Sequence, residues 1–232
     1  MVKLIGPCLS LGGGRPLGKP RTIYSYTPPI LALAHYKFEN YAEDTDGGHH
    51  GTYTDVSFNV AKILNGAIFS LPTARIDCNS EFVGTVPLTI CAWFYMNGWG
   101  AIDYGRILEN GKLDIYVKKL TKNVRFTSKE LATTAESSTD SIGLLRWIHL
   151  IVSRNAAGIA NIYLNNSLCG GPNQNSGAPT TGTHNVHIGN RLDLARNFDG
   201  IIDDLRVYDR ILTAKQRAFI YNGGEGTQER IT

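Results

Sequence analysis

Apolar and polar residues alternate over many short segments of the chain, and this pattern predicts β-strands. The clearest segment is LTICAWFYM, residues 88–96, with Leu, Ile, Ala and Phe on one face and Thr, Cys, Trp and Tyr on the other. Because both faces are mostly apolar, we expect a central strand that is buried on both sides. Helix-period segments are rare, so the pattern predicts an all-β protein.

Turn residues divide the strands into hairpins. Asn110-Gly111 separates the segments RILE and LDIYVKK, and Asn-Gly is a strong hairpin signal. Residues 155–158 supply the turn between the strands predicted in 146–155 and 160–168. The Ser/Thr-rich stretch 127–141 predicts a loop or an irregular edge strand.

A single short helix is predicted near the end of the chain. Thr213 and Gln216 have the spacing of a capping box. The helix runs to about Tyr221, because residues 222–224 are Asn-Gly-Gly and favour termination.

The first 29 residues differ from the remainder. They are rich in Gly and Pro, and they contain the basic residues Lys3, Arg15, Lys19 and Arg21 but no acidic residue. This composition predicts an extended arm over 1–29 and one domain over 30–232. The positive charge indicates binding to an acidic partner or a solvated tail. We expect a protein partner, another copy of the chain or the domain surface to hold the arm.

Composition limits the classes of function. The chain has 232 residues, 42% of them hydrophobic, and a net charge of +3, which is too mild to indicate nucleic-acid binding. It contains no apolar run of the ~20 residues that a membrane helix needs, and no signal peptide is recognised. We therefore expect a soluble protein without membrane insertion. The four cysteines form no CxxC pair, and their disulfide pairing stays open.

Five segments, in order, resemble the concanavalin A-like lectin/glucanase superfamily and its laminin-G-like jelly rolls. They are HYKFEN with DTDGGHHGTYTD, LTICAWFY, RWIHLIVSRN, ANIYLNN, and HIGNR with FDGIIDDLRVYDRILTAKQ. The resemblance covers roughly residues 31–226. It implies a two-sheet antiparallel jelly-roll β-sandwich, to which the sequence pattern adds the extended N-terminal arm and the short C-terminal helix.

Adjacent carboxylates at Asp203 and Asp204 raise the question of catalysis. Strict alternation along a strand places them on opposite faces. A glycosidase pair instead needs two carboxyl groups that converge at roughly 5–10 Å, so we predict no enzymatic activity. Glycoside hydrolysis remains the second alternative.

Calcium binding is a more specific hypothesis than catalysis for the acidic residues of the chain. The resemblance implies a site between the first polar loop and the last strand, where Asp44, Asp46 and Asp203 occupy matching positions. Calcium prefers several oxygen ligands, and such residues supply them. The alternative is that the three residues only support turns and backbone hydrogen bonds.

Aromatic residues in MNGWGAIDYG indicate a sugar platform. Trp99 and Tyr104 lie in a Gly-rich loop with little core to fill, and Asn97 and Asp103 lie close enough in sequence to bind hydroxyls. The alternative is that both rings fold back over the end of the sandwich. We predict a non-enzymatic module that recognises a glycan or a cell surface.

The arm suggests where such a module is displayed. SLGGGRPLGKPRTIYSY is similar to the N-terminal segments of some tailed-phage structural proteins, which implies display on a virion as a decoration or fibre protein. The alternative is a purely structural capsid decoration protein with no glycan ligand.

Overall fold

A computed structural model describes residues 28–129, 132–171 and 177–232, and these form two antiparallel β-sheets packed face to face. The predicted all-β jelly-roll sandwich with a short C-terminal helix is confirmed. Strands are numbered β1 to β15 in chain order.

The first sheet has eight strands. In spatial order they are β13 (Ser167–Gly170), β12 (Ala160–Leu164), β11 (Trp147–Arg154), β6 (Leu88–Met96), β15 (Gly200–Tyr208), β4 (Asn65–Phe69) and β3 (Ser57–Val60), with β1 (Ala34–Tyr36) also paired to β15. Strands β1 and β4 pair with opposite ends of β15.

The second sheet has seven strands. In spatial order they are β10 (Ala132–Glu136), β9 (Asn123–Lys129), β8 (Asp114–Lys118), β7 (Arg106–Glu109), β14 (His187–Ile188), β5 (Arg75–Asp77) and β2 (Thr52–Thr54). Strand β10 is an irregular edge with shifts of register, as the Ser/Thr-rich sequence predicts.

Strand β6 is central, between β11 and β15, and is buried on both faces as predicted. Its residues Ile90, Ala92 and Phe94 belong to the core between the sheets. Cys91, on the other face, packs in a smaller cluster with Tyr208 and the helical residue Ile220. The C-terminal segment therefore covers the outer face of this sheet, and burial of both faces explains why β6 is mostly apolar.

The local signals in the sequence form the expected structures. Gly111 adopts φ +82° in the β7–β8 turn. The helix, α1, spans Ala214–Tyr221 and begins with the capping box of Thr213 and Gln216. It ends at Asn222 in the left-handed conformation, which Asn tolerates better than most residues.

The opposite-face prediction for Asp203 and Asp204 is wrong because β15 contains a bulge between Asp203 and Arg206. Asp204 has φ +46°. The extra residue breaks the alternation, so that both Ile202 and Leu205 enter the core. The two carboxylates lie outside that core.

The arm residues Lys3, Arg15, Lys19 and Arg21 lie outside the described residues. Ile30 pairs with Ile231, so the first and last described segments are adjacent. Within the described part of the chain, no helix has the length and apolar character needed to cross a bilayer.

Candidate functional site

A cleft of about 430 Å³ opens on the outer face of the seven-stranded sheet, between the β7–β8 hairpin and residues 191–193. Leu108 and Ile115 of these strands point into the core, so the adjacent Glu109 and Asp114 point outward to the cleft. Six charged residues line it: Arg106, Glu109, Lys112, Asp114, Arg191 and Asp193.

The register of the sheet aligns the polar residues of the cleft in one row. Asp77 of β5 lies opposite His187 of β14, which lies opposite Glu109 of β7. Glu109 lies opposite Asp114 of β8, which lies opposite Thr127 of β9. The row therefore crosses five neighbouring strands on one face.

Glu109 lies at the floor of the cleft, and its carboxylate accepts several hydrogen bonds. One of its oxygens, Oε1, accepts hydrogen bonds from His187 Nδ1 and from the Leu192 backbone N–H, each at 2.9 Å. The other, Oε2, accepts the Gly111 N–H at 2.9 Å and lies 3.3 Å from His184 Nε2. The carboxylate is only 3% exposed, and these contacts fix its orientation.

Arg106 and Asp114 form a second fixed pair. Arg106 Nε lies 3.2 Å from Asp114 Oδ1, and its guanidinium lies over the Tyr116 ring at 4.3 Å. Burial raises the pKa of Asp114 and lowers that of Arg106, because it disfavours both charges more than their attraction compensates. The two side chains are therefore mostly buried and held in a fixed orientation, with hydrogen-bonding groups at the cleft.

Tyr104 extends this surface beyond the cleft. Its ring contacts the edge of Tyr116, with centroids 6.0 Å apart, and Arg196 lies 5.8 Å from the ring centre. Tyr104 is 36% exposed. Tyr104 is therefore an accessible aromatic residue close to Arg106, because both side chains contact the Tyr116 ring.

The other residues of the predicted sugar platform behave differently. Trp99 is half-buried and packs against the main core, as the alternative of a ring folded over the sandwich end predicts. Asn97 is exposed and donates its backbone N–H to Asp199. Asp103 pairs with Lys119 at 3.2 Å on the surface. The structure thus places Tyr104 beside the cleft and Trp99 against the core.

The residues predicted to bind calcium are not gathered into one cluster in the described chain. Asp44 accepts backbone N–H groups from four residues: His35, Asp46, Gly47 and His49. These bonds lower its pKa although burial opposes them. Asp46 accepts bonds from the Arg230 guanidinium. Calcium binding through these residues stays a prediction.

Asp203, the third predicted ligand, is held by a separate set of contacts. Its Oδ2 accepts the Ile63 N–H at 2.7 Å, whereas Oδ1 has no hydrogen-bond partner among the described residues. Burial raises the pKa of Asp203 to about 8. Burial therefore favours the neutral form of this carboxyl group.

Sequence reasoning missed the cleft. Glu109 and His187 are 78 positions apart, and the sequence contains no signal that pairs their strands. His184 and His187 do stand three residues apart in THNVHIG, which is a spacing worth testing for a metal site.

Comparison with known proteins places the chain in a family. A profile of the Laminin_G_3 family, described as concanavalin A-like lectin/glucanases superfamily, matches residues 69–216. No curated protein matched the sequence.

Several solved structures share the fold. Domain 4 of an extracellular arabinanase from Geobacillus stearothermophilus, in complex with arabinotriose, has a TM-score of 0.68 at 19% identity, covering 86% of this chain and 100% of that one. The binding domain of Paraclostridial Mosquitocidal Protein 1 has a TM-score of 0.62 at 16% identity, covering 84% and 52%. The Botulinum Neurotoxin Type G receptor binding domain has a TM-score of 0.56 at 14% identity, covering 83% and 51%.

The chain thus spans about half the length of the two toxin domains. At these identities the likeness shows the fold, whereas the family profile covers more than half of the chain. The protein belongs to the Laminin_G_3 family of the concanavalin A-like lectin/glucanases superfamily.

Proposed function

We propose that this domain binds a neutral oligosaccharide in the cleft beside Glu109 and does not hydrolyse it. The observation that carries the proposal is the cleft itself, a concave site on the outer face of a sheet with convergent, oriented polar groups. Carboxylates and guanidinium groups together accept from and donate to sugar hydroxyls.

The charge balance of the cleft favours a neutral ligand. Its cationic side chains are Arg106, Lys112 and Arg191, and its carboxylates are those of Glu109, Asp114 and Asp193, three of each. A ligand with a carboxylate or sulfate of its own would meet as many like charges as opposite ones, so the cleft offers an acidic sugar little net attraction.

Tyr104 gives the site an aromatic edge. An exposed ring next to hydrogen-bonding groups can cover the apolar face of a pyranose or furanose while its neighbours bind the hydroxyls. The ring is accessible and lies next to Tyr116, which carries the Arg106 guanidinium on its face. This arrangement supports a ligand of more than one sugar unit, extending from the cleft to Tyr104.

The same geometry argues against hydrolysis. Glu109 and Asp114 both line the cleft, but Glu109 accepts three hydrogen bonds and Asp114 is paired with Arg106. A nucleophile needs an accessible lone pair. Both carboxylates are instead held by neighbouring donors, which suits binding.

The solved structures that share the fold support this proposal. The arabinanase domain was solved in complex with arabinotriose, which is a neutral oligosaccharide, and the toxin domains are binding or receptor-binding domains. Arabinotriose is therefore a reasonable first probe, followed by neutral glucans, galactans and xylans.

Titration calorimetry of the chelator-treated protein against these oligosaccharides tests the proposal with the variants Arg191→Ala and Asp193→Ala. Both residues lie at the rim and are about half exposed, so the fold should tolerate the changes. Each should weaken binding by roughly 10-fold, the value of one or two hydrogen bonds. The exposed Asp209–Arg210 pair provides matched alanine controls that should bind as the wild type does. Binding to uronic-acid oligomers in preference to neutral ones would contradict the charge argument.

We also propose that the arm, residues 1–29, anchors the domain to a larger assembly such as a phage virion. The support is its basic Gly/Pro-rich composition, which suits an extended segment held by a protein partner or another copy. Light scattering of the full chain beside a chain lacking residues 1–29 tests self-association. If the full chain is monomeric, the arm does not bind another copy of the chain, and the proposal then requires a different protein as the partner.

A further inference from the structure

We propose that Glu109, His184 and His187 bind a zinc ion at the floor of the cleft. The three side chains each present a ligand atom, and these atoms all lie within 4.8 Å of one another. Two imidazoles and a carboxylate are a typical ligand set for zinc with one open coordination position. That position would face the cleft.

The fold holds these residues in place before any metal binds. His187 and Glu109 are direct partners on adjacent strands. His184 lies on the segment that enters β14, and the neighbouring Thr183 donates its N–H to the Asn110 carbonyl at 2.9 Å. Backbone N–H groups of Gly111 and Leu192 orient the two carboxylate oxygens. Such supporting contacts are characteristic of metal ligands.

The hydrogen-bonding geometry of His184 leaves one nitrogen directed at a carboxylate. Its Nδ1 lies 2.9 Å from the Asn185 carbonyl oxygen, which can only accept, so Nδ1 carries the proton. Its Nε2 lies 3.3 Å from Glu109 Oε2. A metal ion between these two atoms would take a lone pair from each.

His187 provides a second, independent observation. Its side chain is 1% exposed, and its Nδ1 lies 2.9 Å from Glu109 Oε1. Its Nε2 has no hydrogen-bond partner among the described residues, although it lies 3.5 Å from Asp77 Oδ2. If Nδ1 binds zinc, the ring N–H lies on Nε2, next to the Asp77 carboxylate. Support of this kind from a carboxylate is typical of metal-binding histidines.

Donor chemistry selects zinc over calcium. Imidazole nitrogens suit zinc, copper and nickel, whereas calcium takes oxygen ligands. Ligand atoms around a tetrahedral zinc ion lie roughly 3.3–3.5 Å apart, so the cluster needs a small contraction. His184 can supply this movement because it lies on a loop and its side chain is 19% exposed.

The test measures metal binding by the full chain with any affinity tag removed. The chelator-treated protein is titrated with zinc by calorimetry, and bound zinc is counted by mass spectrometry. We expect one zinc ion per chain, with affinity reduced at least about 100-fold in His184→Gln and Glu109→Gln, since loss of a ligand has a larger effect than loss of a residue that only supports a ligand. Calcium should not compete.

The double variant His49→Gln/His50→Gln is the matched control, because it removes the other histidine pair of the domain. It should bind zinc as the wild type does. Absence of zinc binding by the wild type, or loss of binding in this control alone, would overturn the proposal.

NMR of the wild-type histidine rings keeps the test independent of whether a variant folds. Zinc should shift the ring nitrogens of His184 and His187. If these resonances respond to pH alone and ignore zinc, then protons rather than a metal occupy the site, and the proposal is wrong.

Discussion

His35 and Asp204 stand 169 positions apart in the sequence, yet His35 Nε2 and Asp204 Oδ1 are joined by a hydrogen bond of 2.7 Å. Arg206 completes the group. It contacts both oxygens of Asp204 and donates to the carbonyls of Thr227 and Glu229. This buried network connects β1, the bulge of β15 and the C-terminal segment. Burial alone would raise the pKa of Asp204, but Arg206 and His35 together lower it.

Asp204→Asn should therefore destabilise the fold strongly. Asn tolerates the positive φ of this position, so the change mainly removes the negative charge that compensates the buried Arg206. Breaking a buried pair in this way costs about 3–5 kcal/mol, measured by urea unfolding. Asp209→Asn, in the exposed pair with Arg210, should cost only about 0–1 kcal/mol. Equal effects of the two changes would show that the network contributes little.

Gly189 should be far more sensitive to substitution than Gly48. Both have positive φ, of +80° and +78°. A Cβ at Gly189 would lie 2.0 Å from the buried Phe69 ring, whereas a Cβ at Gly48 would meet nothing within 4 Å. We expect Gly48→Ala to cost about 1–2 kcal/mol from backbone strain alone, and Gly189→Ala about 1–3 kcal/mol more from the clash. Similar unfolding midpoints for the two variants would contradict this account.

Asp203 should make the protein less stable as pH rises. Burial raises its folded-state pKa to about 8, whereas the unfolded chain has an Asp pKa of about 3.9. Between about pH 4 and pH 8 the folded state therefore binds more protons than the unfolded state, and stability falls as pH increases through this window.

Asp203→Asn removes this dependence. Relative to the wild type, its free energy of unfolding should rise by up to about 1.4 kcal/mol per pH unit between pH 5 and 8. Urea unfolding at four pH values measures the difference. Burial also raises the pKa of Glu81, to about 7, but that contribution is common to both proteins and cancels. A constant difference across the range would disprove the assignment to Asp203.

Tyr104→Ala and Trp99→Ala should separate binding from folding. Tyr104 is an exposed ring beside the cleft, so its loss should weaken oligosaccharide binding by about 5- to 10-fold, as expected for a stacking contact. Its effect on stability should be within about 0.5 kcal/mol. Trp99 packs against the core, so its loss should lower stability by about 1–3 kcal/mol. Calorimetry and urea unfolding measure the two quantities. The reverse pattern would favour Trp99 as the sugar platform.

Local sequence signals were sufficient for several elements. Burial on both faces of β6 follows from its composition, because an alternating strand with two apolar faces has to be covered twice. The β7–β8 turn at Gly111 and the capping box of α1 involve residues within a few positions of one another. Such contacts form from local geometry, with little entropy of loop closure, and the sequence therefore indicates them directly.

The candidate site depended on contacts that no local pattern encodes. The bulge at Asp204 reversed the expected faces of β15, since one extra residue shifts every later side chain. The row of Asp77, His187 and Glu109 exists only because β5, β14 and β7 are neighbours in the sheet.

By itself, the sequence determined the fold class, the central strand, the hairpin turn and the terminal helix of this protein. Only the tertiary structure decided which carboxylates and histidines meet, and that Tyr104 is more exposed than Trp99. The physical reason is that burial of the whole core selects the register of the strands in a sandwich. That register then determines which side chains are neighbours on the outer face.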